Sequence, residues 1–361
     1  ARSIGIGGIA MAGIIGIIKS WSVIKGAFSL AGRIFKGGAK DEENVPRTQR
    51  DLPMKIIAMG SLLTIVLVTL LFYFDVMGGN LLFTIVGILL VASIAFLFTT
   101  VAANAIAIVG SNPVSGMTLM TLILASVIMV AVGLKGTGGM VAALIMGGVV
   151  CTALSSAGSF ITDLKIGYWL GSTPYKQETF KFIGILVSAA TVGGVIMILN
   201  KAYGFADPNT MAAPQARAMA AVIEPIMNGA GAPWLLYGIG ALISIILTLC
   251  GVSALAFALG MFIPLQLNLP LLVGGFVSWY ISSRTKDEAL NKARNEKGTL
   301  LASGFIAGGA LMGVVSAAMQ FGGIKFINKD WINSPNSQLL SLVVYICLVL
   351  YFINSSKRAK L

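Results

Sequence analysis

The sequence has no histidine. That removes imidazole metal ligands, His proton relays and Ser-His-Asp catalysis together. Charge is scarce as well: Asp, Glu, Lys and Arg make up 11% of the 361 residues, against roughly 25% in a soluble domain. Acids number 13 against 25 bases. The three cysteines, Cys151, Cys250 and Cys347, lie far apart within apolar runs. They read as small core residues rather than as metal ligands or a disulfide. No GxxxxGKS or GxxxxGKT loop occurs, so ATP does not drive this chain through a P-loop of its own.

What is present is apolar. Hydrophobic residues are 57%, Gly numbers 43, and the mean hydropathy is +0.91. A soluble core of this size cannot hide so much apolar surface with so few charges outside. The composition implies an all-α, polytopic transmembrane helical bundle. A β-barrel is excluded, because its lumen face would place a polar residue at every second position of each strand. The net charge of +12 clusters in loops, which reads as membrane topology and not as nucleic-acid binding.

Along the chain, 1–18 reads as a short or truncated span, and a first residue other than Met suggests a processed chain or a fragment. Residues 19–55 are a basic cytoplasmic loop, in which Trp21, Ile24, Phe28, Ala31 and Phe35 fall on one face of an interfacial helix. Residues 56–283 form the transmembrane core, with re-entrant segments near 106–118 and 219–231. Residues 284–298 are a second basic loop, 299–354 hold two C-terminal spans, and 355–361 are a cytoplasmic tail. The expected spans are Met54–Val76, Leu81–Ile108, Met117–Leu134, Gly138–Gly158, Phe182–Asn200, Trp234–Cys250, Val252–Leu267, Leu269–Ser283, Leu300–Met319 and Leu339–Ile353. That makes about 10–11 crossings, several shorter than the ~20 residues a full crossing needs. Gly- or Pro-interrupted short segments point to broken or re-entrant helices around a protein-lined cavity. With this count the basic segments 19–55, 165–181, 284–297 and 357–360 all fall on the cytoplasmic side.

Polar groups inside a membrane are costly, so each is a candidate for function. Asn112 and Pro113, flanked by Gly110, Ser115, Gly116 and Thr118, interrupt an apolar region running from Leu81 to Leu134. Pro113 removes a donor and biases Asn112 out of the helical region. The N–H groups freed at the start of the next half-helix suit a carboxylate; the same residues also spell an ordinary turn. Glu224 sits in the apolar, Pro- and Gly-broken stretch Met219–Trp234, which also holds Asn228. A carboxyl in low dielectric binds protons nearer neutral pH and suits proton coupling, while a boundary acid or a partner for Arg217 is the alternative. Asp163 could face a cavity or pair with Lys165 at a span end, and Tyr168 and Trp169 fit an interfacial belt.

Four segments in order carry a family resemblance: Ile106–Thr121, Ala142–Lys165, Phe257–Trp279 and Gly298–Val314. They resemble the oligopeptide transporter (OPT) family, in particular its prokaryotic branch related to yellow stripe-like metal-chelate transporters. Family members are longer, so the chain looks like the C-terminal portion of the family fold. The resemblance implies secondary, proton-coupled import of small peptides or metal-chelate complexes in a bacterial or archaeal plasma membrane. The family's NPxxG-like element falls on Asn112, Pro113 and Gly116. An acid that the resemblance implies is missing from Ala307–Ala310, which leaves Glu224 or Asp163 as the coupling group. Peptide or chelate, protons and the bilayer are the implied partners; a cofactor, a resident metal, nucleic acid and an enzymatic reaction are not. A homo-oligomer or a missing N-terminal half would complete the pathway under the other reading, a non-transporting subunit or fragment that needs a partner chain.

Overall fold

The structure, a computed structural model, describes residues 2–19, 46–109, 114–205, 214–228, 233–262, 265–324, 331 and 334–359. The interfacial helix expected within 19–45 lies outside them. The described residues fold into α-helices: α1 (Arg2–Lys19), α2 (Met54–Leu71), α3 (Leu81–Val109), α4 (Val114–Val132), α5 (Gly136–Leu170), α6 (Pro174–Tyr203), α7 (Pro214–Met227), α8 (Trp234–Leu249), α9 (Ala254–Phe262), α10 (Leu265–Ser282), α11 (Glu288–Phe321) and α12 (Pro335–Lys357). A π-helical turn, Phe72–Val76, extends α2. No strand occurs among the described residues. The chain is an all-α polytopic membrane protein.

Among the described residues six segments are long and apolar enough to cross a bilayer, namely Arg47–Val76, Leu81–Ala103, Gly136–Leu170, Pro174–Tyr203, Glu288–Phe321 and Pro335–Lys357. Shorter apolar helices cover Ser3–Gly16, Met120–Val132 and Trp234–Leu249. The 14 residues of α7 reach only about 21 Å, less than the ~30 Å hydrocarbon layer. The apolar stretch from Val252 to Ser283 divides differently from the expectation. A nine-residue α9 ends at Phe262, and α10 begins at Leu265 and carries Pro270 inside it. The second basic segment also differs, since from Glu288 onward it is the first third of α11 rather than a loop.

Helix starts follow local chemistry. Pro174, Pro214 and Pro335 open α6, α7 and α12, where a missing N–H costs nothing. The Asp287 carboxylate accepts from Ala289 N (3.0 Å) and Leu290 N (3.2 Å) at the start of α11. Asn80 Oδ1 does the same for Leu82 N (3.0 Å) and Phe83 N (3.3 Å) at α3. At the end of α5 Gly171 takes φ 66°, and Ser172 N donates to Gly167 O at 2.8 Å, a left-handed cap that only glycine adopts cheaply.

Two compact units emerge: Ala1–Ile185 with Pro214–Ile263, and Leu186–Ala213 with Pro264–Leu361. The core of the first joins α3 (Val91, Phe98, Ala102), α4 (Leu122, Ala125, Met129), α5 (Ala142, Met146, Val150, Leu154) and α7 (Ile223, Met227), all buried. The α5 set recurs every four residues, a single stripe on one helix face. Small residues of the same helix, Gly139, Ala143, Gly147 and Gly158, are buried beside it, which suits association in lipid, where packing and not water exclusion holds helices together.

The tightest crossing in that unit joins α1 to α8. A Cβ on Gly240 would overlap the Ile4 carbonyl, and one on Gly7 would overlap the Tyr237 backbone. The buried Ser244 hydroxyl donates to Gly8 O at 2.9 Å across the same seam. On one helix, then, Gly240 is held by contact while Gly238 faces open space. Gly240→Ala should destabilise the folded chain by about 1–3 kcal/mol through overpacking. Gly238→Ala should leave it unchanged or slightly stabilised by helix propensity. Unfolding in detergent followed by circular dichroism measures both.

Candidate functional site

Of the expected site residues, Asn112 and Pro113 lie outside the described residues. They stand between α3, which ends at Val109, and α4, which begins at Val114. Ser115 and Gly116 belong to the first turn of α4, and their side chains are outside the description. Thr118 is buried at 4% exposure. One turn on, the buried Thr121 hydroxyl donates to Met117 O at 2.9 Å, so that polar group is satisfied within its own helix and stays out of any site.

Helix α7 carries Glu224. It is the most amphipathic of the described helices, and it packs against α4. Ile223 and Met227 enter the same buried core as Met117 and Leu122, while Glu224 is exposed. Asn228, also exposed, follows the helix, and its N–H donates to Glu224 O at 3.0 Å. Thus the structure brings the Ser115–Thr118 and Glu224–Asn228 segments onto adjoining helices. Nothing in their sequence separation announces that pairing; the alternation of Ile223, Ile226 and Met227 with Glu224 is the signal that could have found it.

Asp163 belongs to a different neighbourhood. It lies on α5, where Lys181 of α6 donates to its carboxylate. The expected pairing with Lys165 does not form. Residues two apart on a helix point away from each other, and the Lys165 ammonium instead lies over the rings of Tyr168 and Trp169, 5.5 Å from each centroid. Those two aromatics are exposed. Around Asp163 a cavity of about 300 Å³ is lined by Phe160, Ile166, Gln177 and Lys181.

That end of the bundle is also tied to the chain ahead of α2. Arg47 donates through Nη1 to Thr173 Oγ1 and through Nη2 to Gly171 O, both at 3.0 Å. Leu52 N donates to Glu178 Oε2 at 2.6 Å, and Tyr175 N to Arg50 O at 2.8 Å. Sequence reasoning read these Arg residues only as topology markers.

Asp163 and Glu224 do not converge. Met227 reaches α5 at Gly139, and Asp163 lies 24 residues further along that helix, about 36 Å at 1.5 Å per residue. The cysteines correct another expectation, since Cys250 and Cys347 are exposed and only Cys151 is partly buried, all three as free thiols. Among the described residues no group of three or more Cys, Asp or Glu side chains gathers to hold a metal.

Comparison with known proteins fits this architecture. Residues 1–320 match the family described as OPT oligopeptide transporter protein. A protein of Haemophilus influenzae, whose name gives it as a candidate oligopeptide transporter, is 26% identical over 408 aligned residues. The alignment covers 99% of this chain and 64% of that relative, so the chain spans less than two thirds of the relative's length. No solved structure matches significantly. With nearly nine tenths of its length inside the family match, this chain belongs to the OPT oligopeptide transporter family.

Proposed function

We propose that the chain forms part or all of a secondary active carrier that moves small peptides or metal-chelate complexes across the bilayer, coupled to protons. The observation that carries this reading is the packing of α7, with Glu224 and Asn228, against α4, with Ser115, Gly116 and Thr118. In this proposal the N–H groups at the start of α4, with Asn112, Ser115 and Thr118, receive a substrate carboxylate, because a helix N-terminus favours negative charge. Pro113 and Gly116 keep the backbone open there. Glu224, on a helix too short to cross, exchanges a proton with the aqueous side as the α7 segment rearranges. Neither step makes or breaks a covalent bond in the substrate, which is why a carrier and not an enzyme is proposed. We place the basic segments and the C-terminus in the cytoplasm of a bacterial or archaeal plasma membrane, following the excess of Lys and Arg.

Asp163 is assigned a holding role here, through its ion pair with Lys181. A carboxylate already engaged by a lysine of the neighbouring helix is a poor choice for a cycle that must break and remake that contact.

Uptake into proteoliposomes under an inward proton gradient, with a panel of short peptides and ferric chelates, tests the proposal. The parent chain should accumulate one of these classes. Glu224→Gln should still exchange labelled for unlabelled substrate but accumulate none, and Asn112→Ala should weaken both. Absence of uptake and of exchange from a folded, monodisperse sample overturns the carrier reading for this chain.

The two acids are separated by a charge swap. Asp163→Lys alone should lower stability in detergent, by no more than about 1 kcal/mol for a half-exposed pair, and adding Lys181→Asp should restore it together with accumulation. Restored stability without accumulation would make Asp163 the coupling group instead.

A further inference from the structure

The second unit holds a cavity of about 340 Å³ between α10, α11 and α12. Most of its wall is apolar, from Val273, Val277, Leu348 and Phe352. Its polar groups are fewer and incompletely used. Ser356 is fully buried, and its hydroxyl has no hydrogen-bond partner. Arg294 Nη1 donates to Thr285 Oγ1 at 3.4 Å, but its buried Nε donates to nothing. Leaving buried donors unmade is costly, so a site that keeps two of them beside a cavity suits an acceptor that enters from outside.

The surroundings specify its charge. Arg284 and Lys357 both flank the Tyr280 ring, 5.7 and 5.1 Å from its centroid, and Arg284 Nη1 donates to the Tyr280 hydroxyl at 3.0 Å. Among the described residues none of Arg284, Arg294 or Lys357 forms an ion pair with a carboxylate. Of the nearby acids, Asp287 is engaged in capping α11, and Glu296 is exposed and does not line the cavity.

Their depth specifies the kind of ligand. Arg294 precedes the apolar run of α11, Ser356 and Lys357 follow that of α12, and Arg284 follows α10. Three helices therefore end their apolar stretches at one level, and the unsatisfied donors sit at that level with the apolar wall running away from it. This is the arrangement of a headgroup at the membrane interface with its chains in the hydrocarbon, where Lys and Arg attract anionic lipid.

We infer that this cavity is a binding site for an anionic phospholipid, whose phosphate accepts from Arg294 Nε and Ser356 Oγ while an acyl chain lies along Val273, Val277 and Phe352. Ser356 and Lys357 lie beyond the residues matched by the family. None of its residues belongs to the proposed transport route, and its test does not read transport.

The full chain, stripped of lipid in neutral detergent, is titrated with phosphatidylglycerol or phosphatidylcholine and followed by native mass spectrometry. Both lipids offer a phosphate, but the choline ammonium of phosphatidylcholine would face Arg284, Arg294 and Lys357, so phosphatidylglycerol should bind at least about tenfold more tightly. Arg294→Gln should weaken both lipids and reduce that preference, and Arg294→Lys should recover part of each. Gly274 lines the cavity, and a Cβ there meets nothing, so Gly274→Leu fills the tail space without touching a charge and should weaken phosphatidylglycerol binding on its own. Equal binding of the two lipids, or no effect of Gly274→Leu in a folded sample, overturns the proposal. So does competition by inorganic phosphate or a free peptide at the affinity of the lipid, since either would mean a soluble anion and not a lipid.

Discussion

A bilayer supplies no water to a backbone amide, and that one constraint orders this protein. Every N–H and C=O in the hydrocarbon must be satisfied inside its own segment, which makes the described residues helical almost throughout. The same solvent removes the usual reason for helices to associate, because a lipid tail is as apolar as a leucine. What remains is contact distance. The seam between α1 and α8 shows the consequence: Gly7, Gly8 and Gly240 bring two backbones close enough for the Ser244 hydroxyl to reach a carbonyl of the other helix. A methyl group there acts as a wedge, whereas an equally buried leucine elsewhere in the core is exchangeable for methionine at small cost.

Where the helices leave the hydrocarbon the economy changes. At the turn between α5 and α6, Arg47, Arg50, Leu52, Glu178, Asp163 and Lys181 form a set of polar ties that water would weaken but not abolish. Such ties contribute little individually when exposed. Together they fix the register of α5 against α6 and hold the chain ahead of α2 to their joining turn. Packing inside and hydrogen bonds at the rim are therefore complementary, each operating where the other is weak.

This division explains what could be read from the sequence. The all-helical class, the boundaries of α3, α8 and α12 to within a few residues, and a short segment around Glu224 follow from apolar runs and from Pro and Gly punctuation, because lipid imposes those patterns directly. The exact division between α9 and α10 was not legible: Ala254–Phe262 and Leu265–Ser282 are both apolar, so hydropathy does not fix the residue at which one ends and the other begins. The start of α11 was misread for the opposite reason, since Glu288–Lys297 is charged yet helical, capped by Asp287, and helices extend into water where hydropathy sees a loop. Side-chain pairings were the least legible. Asp163 meets Lys181 from the next helix, 18 positions away, and a pattern read along one chain favours the nearer Lys165.

The separation of Glu224 and Asp163 bears on how a proton would be coupled to movement in the proposed carrier. A relay needs groups within hydrogen-bond reach or linked by water, and about 36 Å of helix between the level of Met227 and that of Asp163 exceeds any single step. In the proposed carrier, then, one acid carries the proton between the two aqueous sides while the other stays fixed. Glu224 has the features of the carrier. Its helix is too short to span, contains Pro225, and is amphipathic enough for one face to pack while the other faces away. Asp163 has the features of an anchor, on a helix of 35 residues with its carboxylate engaged by a lysine. A carrier group belongs on an element whose local stability is low enough to rearrange, and an anchor on one whose stability is high. The assignment of Glu224 and Asp163 thus follows from the helices that bear them more than from the acids themselves.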